Sequence, residues 1–341
     1  MTNPVLNVRS LPKGQPWPTV DPFLFCVHHD DNYPAGNAEF GPAASLEGRH
    51  LGSDFARKDG WSMYHGMTVP GFPKHPHRGF ETVTVVRRGL IDHADSLGAA
   101  ARYGHGDVQW LTAGNGINHA EMFPLLNRSD ANTIDFFQIW LNLPAGNKRV
   151  KPEFKMLWAN TIPKVAQHDA NGRAIEVTVV AGKYSEQGAP GTPSNSWAAN
   201  AENDVAIWTI KLAANAEWTL PKTHSNTGRS LYVVRGDGIQ IHDQTIANLQ
   251  QLELKPDQEV IIKNGAEPTE LLLLQGRPIG EAVAHHGPFV MNTRQELVEA
   301  YQDYQRTGFG GWPWKGTAPI HGDKSDRFAR HADGRKEHPL G

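Results

Sequence analysis

The sequence predicts an all-β protein made of two tandem β-barrels, followed by a short helix and an extended tail. Its 341 residues are enough for two domains of ordinary size. They include 34 Gly and 24 Pro, which separate many short runs rich in Val, Ile, Thr and Trp, a pattern typical of β-sandwiches and β-barrels. A weak internal repeat and a single clear helical pattern complete the prediction.

The internal repeat relates "PKHPHRGFETVTVVRRG" at residues 73–89 to "PKTHSNTGRSLYVVRGDG" at residues 221–238. The Pro-Lys pair, a following His and a strand ending in Val-Val-Arg recur, which indicates two similar barrels in tandem. Between them, "LPAGNKRVKPEF" is rich in Pro, Gly and charge, so the first unit ends between about residues 145 and 170. We predict an N-terminal metal-binding barrel at 1–160, a degenerate C-terminal barrel at 161–290, and a helix with a tail at 291–341.

Short runs bounded by turn residues predict the strands of both barrels. Asp95 to Gly98 and Gly104 to Asp107 have the composition of hairpin loops. The predicted strands of the first barrel lie in "FLFCVHH", "WSMYHGMTV", "FETVTVVRRG", "LIDHAD", "VQWLTAG" and "IDFFQIWLNL". Those of the second lie in "AIEVTVVAG", "DVAIWTIKL", "RSLYVVRGDGIQI", "QLELKP", "EVIIKNG" and "TELLLLQG".

The helical pattern is "NTRQELVEAYQDYQRTGFGG". Thr293 and Glu296 fit a capping box, and Gly308 is a suitable C-terminal stop. Beyond about residue 310 the chain is polar and rich in Pro and Gly, which predicts a tail that is extended over the body or partly disordered.

Composition excludes several classes of function. The formal net charge is -3, so no basic field is available to bind nucleic acid directly. The single cysteine, Cys26, excludes a disulfide framework and a multi-cysteine metal site, and suits a reducing compartment. The first residues have no apolar signal-peptide core, and no run of eighteen apolar residues occurs. We therefore expect a cytoplasmic protein without a membrane partner.

Two pairs of residues predict a metal site in the first barrel. Side chains two apart on a strand point to the same face, so His75 and His77 can converge with His119 and Glu121 from a neighbouring strand. Three imidazole nitrogens and one carboxylate oxygen can then surround one ion and leave open positions for water or substrate. Pro76 removes a ladder hydrogen bond and places the stretch at a strand start or edge, near a barrel opening.

Chance also produces His-x-His pairs in a protein with 17 histidines. The two pairs, however, bracket two turn-bounded strands and a glycine-rich bend, which favours the metal site. The second copy of the repeat keeps only His224 and has no downstream His-x-Glu. Only the first barrel is expected to bind metal.

"HPHRGFETVTVV" followed by "GDVQWLTAGNGINHAEM" resembles the signature of the pirins, a branch of the cupin superfamily, and "DPFLF", "ADSLG" and "GPFVMNTRQEL" resemble pirin segments too. The resemblance implies a bicupin, with two jelly-roll-like barrels and Fe(2+) held by His75, His77, His119 and Glu121. Iron rests on the resemblance alone, because imidazole ligands accept other divalent metals. Glu81, a ligand in many cupins, is then expected to pack behind the metal ligands.

Bacterial pirins are similar to quercetin 2,3-dioxygenases, which open the central ring of a flavonol with O2. The resemblance implies a small aromatic substrate such as a flavonol, with Glu121 taking the proton of its hydroxyl. As a metal ligand Glu121 is a weaker base, so this role requires it to loosen or swing during turnover. Pirins also resemble redox-sensing regulators that bind a protein partner without turnover, and a metal-free structural bicupin is a third alternative.

Other residues receive weaker assignments. His65 and His93 could point toward the cavity, and Cys26 is expected to be a buried small hydrophobe. The remaining histidines considered, expected in loops, are His28, His29 and His105. The aromatic residues expected in the core, or lining an aromatic pocket, are Phe80, Trp110 and Phe137.

Overall fold

The computed structural model describes residues 3–339 and is built mainly of β-strands. The strands of the first half are β1 (Val5–Ser10), β2 (Phe23–Tyr33), β3 (Gly71–His77), β4 (Phe80–Arg88), β5 (Leu90–Asp95), β6 (Ala100–Gly104), β7 (Val108–Thr112), β8 (Ile117–Met122), β9 (Asn132–Asn142) and β10 (Glu153–Leu157). The strands of the second half are β11 (Lys164–His168), β12 (Ala174–Ala181), β13 (Lys183–Tyr184), β14 (Gln187–Gly188), β15 (Ala206–Leu212), β16 (Glu217–Leu220), β17 (Gly228–Arg235), β18 (Ile239–Ile241), β19 (Gln244–Ile246), β20 (Gln250–Leu254), β21 (Val260–Lys263) and β22 (Thr269–Gly276). The last elements are β23 (Ala284–His286), β24 (Phe289–Met291), α1 (Arg294–Thr307), β25 (Phe328–Arg330) and β26 (Lys336–Glu337).

The described chain forms two compact units whose bounds differ from the predicted domains. The N-terminal barrel comprises residues 27–160 and 281–339, and the C-terminal barrel comprises residues 3–26 and 161–280. The first residues join the C-terminal barrel because β1 pairs antiparallel with β20, Ser10 opposite Gln250. The tail joins the N-terminal barrel because β25 pairs with β6, Ala329 opposite Ala101. These two units differ from a division at 1–160, 161–290 and 291–341 at both ends of the described chain.

The N-terminal barrel consists of two sheets around one core. One sheet has the strand order β10-β7-β4-β9-β2, and the other has the order β26-β25-β6-β5-β8-β3. Both sheets contribute to one buried hydrophobic cluster, for example Val86 and Phe136 from the first and Ile91 and Ile117 from the second. The face of β3 and β8 that carries the predicted ligands therefore borders this interior.

Two local predictions for this barrel are wrong. The run "WSMYHGMTV" forms turns and isolated bridges instead of a strand. Residues 104–107 connect β6 to β7, which lie in different sheets, so this turn is not a hairpin. The turn at Asp95 to Gly98 does join the paired strands β5 and β6, and the Asp95 carboxylate accepts the backbone N–H groups of Leu97 and Ala99.

The C-terminal barrel consists of a seven-stranded sheet, β1-β20-β17-β22-β15-β12-β11, and a four-stranded sheet, β16-β21-β18-β19. Its interior packs 22 buried hydrophobic residues, including Trp208 and Trp218. Within residues 3–339, the one group of His, Cys, Asp or Glu with metal-ligand spacing lies in the other barrel.

The predicted helix forms as α1. Thr293 caps it, with the full capping box to Glu296, and Gly308 ends it in the left-handed conformation at φ 55°. Leu297, Tyr301 and Tyr304 pack in one cluster with Phe289. In the part of the chain that the structure describes, no helix has the length and apolar character needed to cross a membrane.

Candidate metal centre

Neighbouring strands β3 and β8 bring the predicted ligands together. His75 lies directly opposite His119, and His77 lies opposite Ile117. Because residues two apart share a face of the sheet, His75, His77 and His119 all project from the same side. On its other edge β8 pairs with β5, which places His93 opposite Glu121.

The three imidazoles form a compact group. One ring nitrogen from each of His75, His77 and His119 lies within 4.8 Å of those of the other two. The ring centroids are 4.4 Å apart for His75 and His119, 4.8 Å for His75 and His77, and 4.9 Å for His77 and His119. His77 and His119 are buried, whereas His75 is half-buried. Any approach from solvent is therefore on the side of His75.

Glu121 lies beside this group but is not one of its members. Its Oε2 is 3.9 Å from His119 Nε2, and both carboxylate oxygens accept hydrogen bonds from the opposite sheet. Gln138 Nε2 donates to Oε2 at 2.9 Å, and Thr84 Oγ1 lies 3.2 Å from Oε1. The structure thus brings three of the four predicted ligands into one group and holds the fourth at its edge.

Burial sets the protonation of these groups. It lowers the pKa of His75 to about 4 and lowers the pKa values of His77 and His119 well below the ordinary range. All three imidazoles are therefore neutral near pH 7, the form that binds metals. Burial also raises the pKa of Glu121, although His93, Thr84 and Gln138 partly oppose the shift. This makes Glu121 a stronger proton acceptor than an exposed carboxylate.

Several ring nitrogens of the three histidines have no hydrogen-bond partner within residues 3–339, as expected of ligands for a divalent metal. Both ring nitrogens of His119 and Nδ1 of His77 are buried and have no hydrogen-bond partner among the described residues. His75 Nδ1 bonds the carbonyl of Pro73 at 2.9 Å, which leaves its Nε2 lone pair for another use. Leaving a buried polar atom unpaired costs about 1–3 kcal/mol. A metal bound by one nitrogen of each ring would remove part of that cost.

Aromatic side chains flank the histidines. The ring of His77 packs against Phe80 and Trp140, with centroids 5.1 and 5.4 Å away. Phe72 lies 6.3 Å from His75. Phe80, Trp110 and Phe137 are all buried, as expected of core residues, and Phe80 also borders the imidazole group.

A run of ring contacts leads from His75 to the surface. Phe72 contacts His65 at 5.7 Å, and His65 contacts Phe55 at 5.1 Å between centroids. The side chain of Phe55 is 45% exposed, and Met67 nearby in the sequence is 61% exposed. Phe55 and His65 are exposed, and Phe72 and His75 are half-buried, so the run of contacting rings extends from the surface to the imidazole group.

The weaker assignments have mixed outcomes. His93 lies in the interior, 5.7 Å from His119, and its Nε2 pairs with Asp95 at 3.1 Å. His28 and His29 lie in β2, so their placement in loops is wrong. His29 is buried and stacks on Phe136, whereas His105 does occupy a turn. Cys26 is a buried free thiol.

Three hydrogen-bonding residues of the site were not predicted, namely Thr84, Gln138 and Asp95. Gln138 carried a recognisable signal, because it is the polar member of the alternating set Ile134, Phe136, Gln138 and Trp140. A polar residue at a core position needs a buried partner. Glu81, in contrast, accepts a 2.6 Å hydrogen bond from Thr112 and has no place in the imidazole group.

Comparison with family models and with known proteins shows which family this chain belongs to. The model described as Pirin matches residues 6–141, and the one described as Pirin C-terminal cupin domain matches residues 207–310. A protein of Pseudomonas aeruginosa with the name "Putative quercetin 2,3-dioxygenase" is 36% identical over 241 residues, which cover 70% of this chain and 79% of that protein. The chain belongs to the pirin family. A pirin-like protein of Caulobacter vibrioides is 35% identical over 268 residues, or 79% of this pirin and 90% of that protein.

Solved structures support the same fold. A crystal structure of quercetin 2,3-dioxygenase from Acinetobacter baumannii matches with a TM-score of 0.71 and 24% identity, covering 91% of this pirin and 99% of that chain. The predicted bicupin architecture, with two β-barrels and a short C-terminal helix, is confirmed.

Proposed function

We propose that this pirin is a mononuclear-iron dioxygenase of the quercetin 2,3-dioxygenase type, which opens the ring of a flavonol with O2. The observation that carries the proposal is the group of three neutral imidazoles, two buried and one half-buried, whose nitrogens lie within 4.8 Å of one another. Relatives whose names include this activity support it. Iron is proposed from the family, since imidazoles also bind zinc, copper and nickel.

Each residue has a definite task in this proposal. His75, His77 and His119 would hold the metal through their ring nitrogens, and Glu121 would be its fourth ligand. A bound divalent iron would lower the pKa of a flavonol hydroxyl and make the substrate electron-rich toward O2. Glu121 accepts the hydroxyl proton on a carboxylate oxygen, because burial has raised its pKa. Phe72 offers a ring face beside His75, on which a flat substrate can stack.

The aromatic run from Phe55 to His75 favours an enzyme over a regulator. A regulator that reports the oxidation state of its metal needs a surface for a protein partner, but it has no need for a path that a flat ligand can follow to the metal. The run of Phe55, His65 and Phe72 passes from exposed to half-buried residues beside His75, which supports the enzyme.

Metal analysis and oxygen uptake test the proposal. The protein is purified anaerobically, its bound metals are measured, and O2 uptake with quercetin is followed for the parent, His119→Ala and Glu121→Gln. We expect His119→Ala to lose most of the metal. Glu121→Gln should keep the metal while uptake falls by roughly 10²–10⁴-fold, the range of a lost general base.

His168→Ala is the matched control, since His168 is exposed on β11, and it should behave as the parent. Equal metal content in the parent and His119→Ala would overturn the metal centre. An iron-loaded parent without uptake would overturn the dioxygenase and favour the regulator.

A further inference from the structure

We infer that Thr84 and Gln138 form a second resting position for the Glu121 carboxylate, away from the metal. The inference rests on the proposed metal centre and deepens it, because a carboxylate that both binds metal and takes a proton must have somewhere to go. Thr84 and Gln138 are positioning residues in this account, since they act on the metal centre through Glu121.

The strand register places the residues that form this resting position. Thr84 on β4 lies directly opposite Gln138 on β9, whereas Glu121 lies on β8 in the other sheet. Glu121 therefore reaches across the interior of the N-terminal barrel to meet the pair. The three side chains are buried or half-buried, so their mutual hydrogen bonds do not compete with bulk water.

The hydrogen bonds fix the orientation of each group. Thr84 Oγ1 donates to Gln138 Oε1 at 2.6 Å, which turns the amide nitrogen of Gln138 toward Glu121. That nitrogen donates to Glu121 Oε2 at 2.9 Å. Thr84 Oγ1 also lies 3.2 Å from Oε1, so one hydroxyl proton serves two acceptors. Both carboxylate oxygens thus have a partner without any contribution from a metal.

This resting position differs from the usual hydrogen bonds that orient a metal ligand. A group that merely orients a ligand leaves the ligand among the other donors, yet the Glu121 carboxylate lies outside the group formed by His75, His77 and His119. Its Oε2 is still only 3.9 Å from His119 Nε2, so a small side-chain rotation separates the two positions. While Glu121 rests on Thr84 and Gln138, its carboxylate would leave a bound metal to the three imidazoles and the substrate.

The sign of a change in metal affinity tests the inference. Co(II) is added to the metal-free protein, and its dissociation constant and visible absorption are measured for the parent, Gln138→Leu and Thr84→Val. Loss of the resting position should release Glu121 to the metal. We expect Gln138→Leu to bind Co(II) more tightly by about tenfold, the scale of effects around metal sites, with weaker visible absorption as the coordination number rises.

Gln109→Leu is the matched control for Gln138→Leu. Gln109 lies opposite Thr84 on β7, is buried, and makes no hydrogen bond with its amide among residues 3–339. Gln109→Leu replaces a glutamine with a leucine on the same sheet, as Gln138→Leu does, and it should leave the dissociation constant for Co(II) as in the parent. Thr84→Ser keeps the hydroxyl and should also match the parent.

The outcomes separate this inference from the proposed function. Adding Glu121→Gln to Gln138→Leu should abolish the gain in affinity, because the gain requires the carboxylate. Unchanged or weaker Co(II) binding in Gln138→Leu would overturn the resting position and leave the metal centre intact. Equal Co(II) binding by the parent and His119→Ala would overturn the metal centre and the resting position together.

Discussion

Phe55 is the outermost ring in the run of contacts that reaches His75. If a flavonol stacks along this run, Phe55 binds the end of the substrate that is distant from the reacting bonds. Phe55→Ala should therefore raise KM for quercetin by roughly 3–10-fold with little change in kcat, since a lost aromatic contact is worth about 0.5–1.5 kcal/mol beyond burial.

Steady-state kinetics of O2 uptake check this prediction, with Val298→Ala as the control. Val298 is 48% exposed on α1, so its truncation also removes an exposed apolar group. An unchanged KM in Phe55→Ala, or an equal change in both variants, would show that substrate does not use the aromatic run.

At the scale of elements, the tail after residue 319 forms hydrogen bonds with the sheet that carries His75, His77 and His119. Buried Arg102 on β6 pairs with Asp92 and donates to the carbonyl oxygens of Gly322, at 2.9 Å, and Lys324. The Asp92 carboxylate accepts the backbone N–H of His321 at 2.8 Å. A chain ending at residue 319 loses these bonds and the pairing of β25 with β6.

We expect this truncation to destabilise the N-terminal barrel by at least about 2 kcal/mol, because one or two hydrogen bonds to charged groups already reach that scale. Hydrogen exchange should become faster at residues 100–102, which lie opposite β25. Exchange at β17 in the C-terminal barrel serves as the internal control and should not change. Equal protection of residues 100–102 in both chains would contradict the prediction.

The sequence predicts local features of this molecule much better than long-range pairing. The alternation of side chains along a strand was enough to put His75 and His77 on one face, and the caps of α1 were readable at Thr293 and Gly308. The contact of Thr84 and Gln138 with Glu121 could not be predicted from the sequence, because it joins residues of two different sheets. β25 has only three residues, and β1 shows no alternation of buried and exposed positions, so the barrel that each end joins could not be predicted.

For the whole molecule, buried histidines make the metal-free protein sensitive to acid. Burial lowers the pKa of His29 to about 3 and that of His75 to about 4, from an ordinary 6.5. Below pH 6.5 the unfolded chain takes up a proton that the folded chain refuses, so each group lowers the free energy of unfolding by about 1.4 kcal/mol per pH unit. The loss continues until the pH reaches the folded pKa. Burial raises the pKa of Asp31 to about 6, which offsets part of this loss below pH 6.

His29→Phe isolates one histidine without touching the proposed ligands, since its ring can still stack on Phe136. Urea unfolding of the metal-free protein between pH 7 and pH 4.5 should show that the variant loses stability less steeply than the parent, by about 1.4 kcal/mol per pH unit below pH 6. His50→Phe replaces an exposed histidine of the same barrel and should keep the slope of the parent. If His29→Phe kept that slope as well, the folded chain would have to protonate His29 as readily as the unfolded chain does. The interior of the N-terminal barrel would then be open to water at β2, and burial could no longer be the reason that its imidazoles stay neutral.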